Sequence, residues 1–148
     1  MTRSKRMKPI VEVEAERERK AARKVSDSLR ELEARRTRLA ELHAYREEYT
    51  QRFQADCASG VDATQLCDYR LFLTRLNEAI VQQEQLMEIS RREWEALADQ
   101  WQRTRIRAKA LDKVVERYRH AEDYQEQRRE QGDSDERAQR VARTEPEE

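Results

Sequence analysis

A heptad repeat across Leu66–Tyr118 constrains the fold of this chain more than any other feature. Two rows of residues recur at seven-residue spacing, and neither proline nor glycine interrupts them. This repeat is typical of a long α-helix that packs along its length against another helix. One row comprises Leu73, Ile80, Met87, Trp94, Trp101, Ala108 and Val115, and the other comprises Tyr69, Leu76, Gln83, Ser90, Leu97, Thr104, Leu111 and Tyr118. Polar members of the second row lower stability and can specify the register.

A less regular apolar stripe precedes this repeat. It continues at helical spacing as far as Leu39, after which Leu42 comes one residue early. We predict from this slip that the stripe rotates near Leu39–Leu42. The predicted stripe contains Ala22, Val25, Leu29, Leu32, Arg36, Leu39, Leu42, then Tyr45 or Arg46, and finally Tyr49 and Phe53.

Gly60 marks the break between the two repeats. Glycine readily adopts the left-handed conformation that ends a helix, and Asp62 followed by Gln65 resembles a capping box that begins the next one. Such a short connection joins antiparallel neighbours. Facing residues should then have numbers that sum to about 120, which brings Tyr45 or Tyr49 near Phe72.

The predicted fold class is all-α, a long antiparallel two-helix coiled-coil hairpin over residues 9–131. Pro9 suits the first turn of helix 1, which we place at about 9–57, with a turn at 58–62 and helix 2 at about 63–131. Residues 1–8 form a basic N-terminal tail or the start of the helix. Residues 132–148 are expected to be a disordered charged tail, because the apolar period has stopped and Gly132 breaks the helix.

The composition argues against an enzyme. The chain is 42% charged and has a mean hydropathy of −1.20, so it favours narrow apolar seams over a broad core with a dry pocket. His43 and His120 lack neighbours at ligand spacing, and Cys57 and Cys67 read as free thiols of a reducing compartment. We therefore expect no catalytic residues, no cofactor and no metal, in a cytoplasmic protein.

Positive charge is concentrated in two segments that the hairpin would bring together. Residues 1–24 and 100–120 each carry about +5, although the whole chain has a net charge of zero. Antiparallel pairing places both segments at the open end of the hairpin. This end is expected to bind an acidic partner.

Phe72 and Ala79 lie beside the predicted core rows. A two-helix hairpin has one seam to bury, so a second apolar stripe can remain exposed and bind a partner. The alternative is a locally widened core, because aromatic residues at helical spacing are usually buried.

The order of these features resembles the FliJ family of the bacterial flagellar type III export apparatus. The resemblance covers essentially the whole chain and includes the Gly60 turn, the run from Tyr69 to Leu73 and the late Leu111-Asp112-Lys113. It implies a non-enzymatic protein, similar to the stalk subunit of rotary ATPases, at the cytoplasmic face of the inner membrane at the flagellar base.

The resemblance implies three kinds of partner: the hexameric flagellar export ATPase, the cytoplasmic domain of the membrane export gate, and flagellar export chaperones. The corresponding gate-binding patch is Leu42, Tyr45, Tyr49, Phe72, Leu76 and Ala79, and Gln83 replaces a family histidine at its edge. The end that binds the ATPase ring carries Arg3, Lys5, Arg6, Lys8, Arg105, Lys109, Lys113 and Arg117.

Two other functions fit the same repeat. A structural or oligomeric coiled coil without an export role would use the same seam, although we expect a monomer in isolation. Nucleic-acid binding through the basic end is disfavoured, because aromatic residues do not alternate with the basic ones there and the tail is acidic.

Overall fold

The computed structural model describes residues 1–145, and these form two long helices. Helix α1 spans Arg3–Ser59 and helix α2 spans Ala63–Thr144, with no strand in the described part of the chain. The helices pack against each other, which confirms the predicted all-α hairpin. Neither helix has a stretch long and apolar enough to cross a membrane, within residues 1–145.

The connection between the helices has the predicted chemistry. Gly60 has φ of 95°, the left-handed region that favours glycine, and its N–H donates to the Cys57 carbonyl at 3.2 Å. The Gln65 N–H donates to Asp62 Oδ1 at 2.8 Å, and the Asp62 N–H donates to Gln65 Oε1 at 3.1 Å. This reciprocal pair is a capping box, so the predicted start of α2 is confirmed.

The chain divides into two compact units. The turn unit is Lys20–Gln102 and contains the connection between the helices. The terminal unit combines Met1–Arg19 with Arg103–Glu148, of which the structure describes residues up to 145. In each unit, a segment of α1 packs against a segment of α2.

The core of the turn unit follows an uninterrupted heptad on both helices. Every residue of the two predicted α2 rows within this unit is buried or half-buried. The shielded residues of α1 alternate spacings of three and four without a slip: Val25, Ser28, Leu32, Arg35, Leu39, Leu42, Arg46, Tyr49 and Phe53. The predicted rotation near Leu39–Leu42 is therefore wrong.

Polar side chains at core positions caused that error. Ser28 and Arg35 occupy the seam, whereas Leu29 is 39% exposed and Arg36 is exposed. Arg35 Nη1 donates to the Leu86 carbonyl at 2.8 Å, and Gln83 Nε2 donates to the Arg35 carbonyl at 3.1 Å. These bonds satisfy polar groups at the seam, so arginine and glutamine are tolerated there.

Ser90 is a weak point in this core. Its side chain is 1% exposed, and Ser28 on the opposite helix is 8% exposed. Ser90 Oγ and Trp94 Nε1 are buried without a hydrogen-bond partner among the described residues. A buried polar group left unpaired costs about 1–3 kcal/mol, so this part of the core lowers the stability of the hairpin.

The terminal unit begins its helix earlier than the Pro9 signal predicts. Helix α1 starts at Arg3, so Pro9 lies inside it and cannot donate to the Lys5 carbonyl. The basic start is thus helical, which was one of the two expected forms. Ser4 holds it to α2: its N–H and Oγ donate to the two carboxylate oxygens of Glu122 at 3.0 and 2.6 Å.

The far part of α2 also differs from the prediction. The helix continues through Thr144, so the predicted end near Gln131 is wrong. The helix continues through Gly132 and the Asp133-Ser134-Asp135 run that follows, although these residue types favour a helix less than alanine does. Every residue from Asp123 to Glu145 is exposed, and residues 146–148 of the predicted tail lie outside the described residues.

Candidate protein-docking surfaces

The turn unit has two long sides that differ in chemistry. The row of Leu73 in α2 pairs with the row of Val25, Leu32 and Leu39 in α1, and the row of Leu76 pairs with that of Ser28, Arg35 and Leu42. In an antiparallel pair, the residues just before the first rows line one side, and the residues just after the second rows line the other. We call the first the aromatic side and the second the polar side. Between residues 24 and 52 of α1 and residues 70 and 100 of α2, the middle of the aromatic side contains Arg38, Tyr45, Phe72, Ala79 and Leu86, with Arg75 and Ile89 adjoining. Its remaining members are Lys24, Glu31, Arg52, Glu93 and Gln100. The polar side contains Leu29, Arg36, His43, Thr50, Arg70, Asn77, Glu84, Arg91 and Ala98.

Five aromatic rings join the two helices near the turn. Phe53 and Tyr69 stack with their centroids 3.6 Å apart, and Tyr69 stacks on Tyr49 at 5.4 Å. The ring centroids of Tyr49 and Phe72 are 4.3 Å apart. The Phe72 and Tyr45 rings meet edge-on, with their centroids 5.9 Å apart. These contacts confirm that Tyr45 and Tyr49 lie near Phe72. The row of rings extends from Tyr49 in the core to Tyr45 on the aromatic side.

The six residues predicted for the gate-binding patch lie together but at different depths. Leu76 is 7% exposed and belongs to the core, whereas Tyr45 is 47% exposed. The remaining four, Leu42, Tyr49, Phe72 and Ala79, are half-buried. The structure therefore combines the two alternatives left open by the sequence: Leu76 is a core residue and Tyr45 is a surface residue.

An open groove of about 570 Å³ runs beside this patch. Its apolar wall is formed by Leu42, Tyr45, Phe72 and Leu76, and its charged rim by Arg38, Glu41 and Arg75. Arg38 donates to Glu41 at 3.5 Å, whereas Arg75 makes no ion pair within residues 1–145. An apolar wall with an unpaired cation at its rim suits an amphipathic segment of a partner protein.

The aromatic side continues beyond the predicted patch. Leu86 is 42% exposed and Ile89 is 58% exposed. The sequence reading missed both residues, although Leu86 lies seven residues after Ala79 and fourteen after Phe72. For Leu86, this heptad spacing was the signal that could have identified it.

The polar side is held by its own ion pairs and hydrogen bonds. His43 Nε2 lies 4.0 Å from Glu84 Oε1, and Arg46 Nη1 donates to Asn77 Oδ1 at 3.1 Å. Arg91 donates to Glu88, and this hydrogen bond lowers the pKa of the Glu88 carboxyl from 4.5 to about 2. The exposed apolar residues of this side, Leu29 and Val81, lie on different helices and are not neighbours in the register.

The eight predicted ring-binding residues all lie in the terminal unit and are exposed. The structure thus brings residues 1–19 and 103–120, most of the two basic segments, into one compact unit. Heptad positions place Arg3, Arg6 and Arg117 on one side of this unit and Lys5, Lys8, Arg105 and Lys109 on the other, while Lys113 points away from the seam. The Arg3 guanidinium lies 5.9 Å from the centroid of the Tyr118 ring, a cation–π contact.

No group of three or more His, Cys, Asp or Glu side chains that could hold a metal occurs within residues 1–145. Cys57 and Cys67 are exposed free thiols, as expected. His120 lies 3.7 Å from Glu116 on the surface of α2.

A family model described as the flagellar FliJ protein matches residues 3–147, nearly the whole chain. The chain belongs to the flagellar FliJ protein family. It is therefore a flagellar export-related coiled-coil protein, and the family is a structural, export-associated one. Searches of curated proteins and of solved structures gave no significant match.

Proposed function

We propose that this member of the FliJ family is the stalk of the flagellar export ATPase ring. The terminal unit binds in the ring and promotes its assembly and hydrolysis, and the aromatic side of the turn unit binds the cytoplasmic domain of the export gate. The protein performs no chemistry itself. It works in the cytoplasm at the inner-membrane face of the flagellar base, where it also escorts export chaperones.

The asymmetry of the turn unit carries the gate-binding part of this proposal. A chain that is 42% charged nevertheless exposes the large apolar residues Tyr45, Leu86 and Ile89 on one side of the pair. Apolar surface of this kind, with a charged rim, marks a protein-binding surface. Family membership supports the choice of partner.

A cluster of basic residues in the terminal unit supports the ring-binding part. Eight exposed basic residues from two segments of the chain lie in this unit: Arg3, Lys5, Arg6, Lys8, Arg105, Lys109, Lys113 and Arg117. A concentrated positive surface steers an acidic partner and raises its rate of association. The chaperone role rests on family membership alone, and we assign no residues to it.

The decisive experiment combines this protein with the export ATPase of the same organism. We expect faster ATP hydrolysis, and rings visible by electron microscopy, when the full chain is added. A helical sample, verified by circular dichroism, that changes neither the rate nor the ring population contradicts the stalk function. That result would favour a structural coiled coil without an export role.

A further inference from the structure

One side of the terminal unit is lined by arginine and apolar residues alone. It corresponds in heptad position to the aromatic side of the turn unit, and we call it the arginine side. Ten residues occupy it between residues 3 and 17 and between 103 and 117, of which six are arginine and none is acidic. The other four are Ile10, Val13, Ala110 and Val114. Its apolar centre is thus flanked by cations at both ends.

These side chains are available to a partner. Ile10 is 49% exposed and Val13 is 52% exposed. Arg6, Arg107 and Arg117 are exposed and make no ion pair within residues 1–145. Arginine forms paired hydrogen bonds with a carboxylate, so the arrangement suits acidic side chains on both flanks of an apolar stripe.

The opposite side of the same unit has a different composition. Its cations Lys5, Lys8, Arg105 and Lys109 are interspersed with the acids Glu12, Asp112 and Glu116. Charges of both signs partly cancel there, and the side has no large exposed apolar residue at its centre. The unit therefore offers one binding side instead of a uniformly basic end.

We infer that the arginine side binds an amphipathic helix whose apolar stripe is bordered by Asp or Glu. This inference rests on the proposed stalk function, in which the helix belongs to the export ATPase. The side extends from residue 3 to residue 17 along α1, roughly 21 Å at 1.5 Å per residue, so about four helical turns of the partner would cover it. Charge complementarity and the exposed centre select this occupant.

Two pairs of charge reversals test the inference with the full-length protein. Arg6→Glu with Arg117→Glu changes the arginine side, and Lys5→Glu with Lys109→Glu makes an equal change of charge on the opposite side. We expect the arginine pair to weaken binding to the ATPase roughly tenfold or more, and the lysine pair to weaken it only about twofold through long-range charge. Because all four residues are exposed, circular dichroism should show equal helicity.

The apolar centre is tested by Ile10→Gln with Val13→Gln, which keeps the charge, slightly raises the helix propensity and removes branched apolar side chains. Weaker binding without a change in salt dependence supports the inference. Equal losses of affinity from both charge-reversal pairs, or no loss from either, overturn the inference about the arginine side. The stalk function still stands in that case if the wild-type protein stimulates the ATPase.

A wild-type protein that fails to stimulate the ATPase contradicts the stalk function instead. The arginine side is then tested with a synthetic helix of about 20 residues that has a leucine stripe flanked by glutamates. Binding that Arg6→Glu/Arg117→Glu abolishes supports the inference, and no binding overturns it.

Discussion

The two sides of the turn unit share one backbone geometry and differ in how their side chains are satisfied. On the polar side, charged groups pair within the protein, as His43 does with Glu84 and Arg91 does with Glu88. On the aromatic side, Tyr45 and Ile89 remain about half exposed. Surface ion pairs contribute little to stability, about 0–1 kcal/mol each, whereas exposed apolar area gains free energy when a partner covers it. This difference fits the proposed function, in which the polar side keeps the hairpin in solution and the aromatic side binds a partner protein.

The largest expected effect separates the core beneath the aromatic side from its surface. Leu76→Ala should lower the free energy of unfolding by about 3 kcal/mol, because it leaves a cavity under Phe72, whereas Tyr45→Ala should cost less than about 1 kcal/mol. Chemical denaturation measures both changes. Equal large losses would mean that the aromatic side is core along its whole depth.

A second experiment tests whether the aromatic side binds. Tyr45→Ala with Leu86→Ala should weaken binding to the cytoplasmic domain of the export gate roughly 30-fold, since truncating a buried anchor costs about 2 kcal/mol. Isothermal titration calorimetry measures the affinity. The matched control is Leu71→Ala with Val81→Ala, two positions that are 53% and 52% exposed and lie off this side. Similar losses in both double variants would contradict a side-specific interface.

The core between the two sides offers a gain in stability. Ser90→Ala removes the unpaired buried hydroxyl and should raise the free energy of unfolding by about 1 kcal/mol. Ser26→Ala, at an exposed position of α1, measures the gain from helix propensity alone, which is about 0.5 kcal/mol. If Ser90→Ala lowers the free energy of unfolding, the Ser90 hydroxyl has a hydrogen-bond partner in the folded protein.

The smallest effect concerns the charge of the polar side. The depressed pKa of Glu88 means that its ion pair with Arg91 stabilises the folded state above about pH 4.5 and that this contribution is lost as the pH falls towards about 2. A carboxyl titration followed by NMR should give a midpoint near that lower value. Arg91→Gln should move the midpoint back towards 4.5, and an unchanged midpoint would show that Arg91 is not the cause.

Sequence reasoning predicted the α2 seam and the turn because both depend on local, repeated chemistry. Leu76, Ile80 and Val115 are buried where the heptad placed them, and the Asp62–Gln65 capping box forms as expected. On the α1 seam, sequence reasoning wrongly placed Leu29 and Arg36, where the structure has Ser28 and Arg35. Ser28 and Arg35 reach the core through small size and through a bond to the backbone of the facing helix.

The candidate docking surfaces were only partly predictable for a related reason. A heptad position shows whether a side chain lies near the seam, but its exposed area depends on the residues of the other helix. The family resemblance implied that Phe72 and Leu76 both belong to the patch, although Leu76 is buried and Phe72 is half-buried.

The sequence by itself determined two helices, their antiparallel order and the family, since helix period, turn chemistry and motif order are all properties of the chain read in one direction. Tertiary structure decided which side of the two packed helices is apolar and which side forms ion pairs. It also decided which arginines make no ion pair within the described residues. These properties arise only when residues distant in sequence, such as Tyr45 and Phe72, lie side by side. The docking surfaces therefore belong to the paired helices and to neither helix alone.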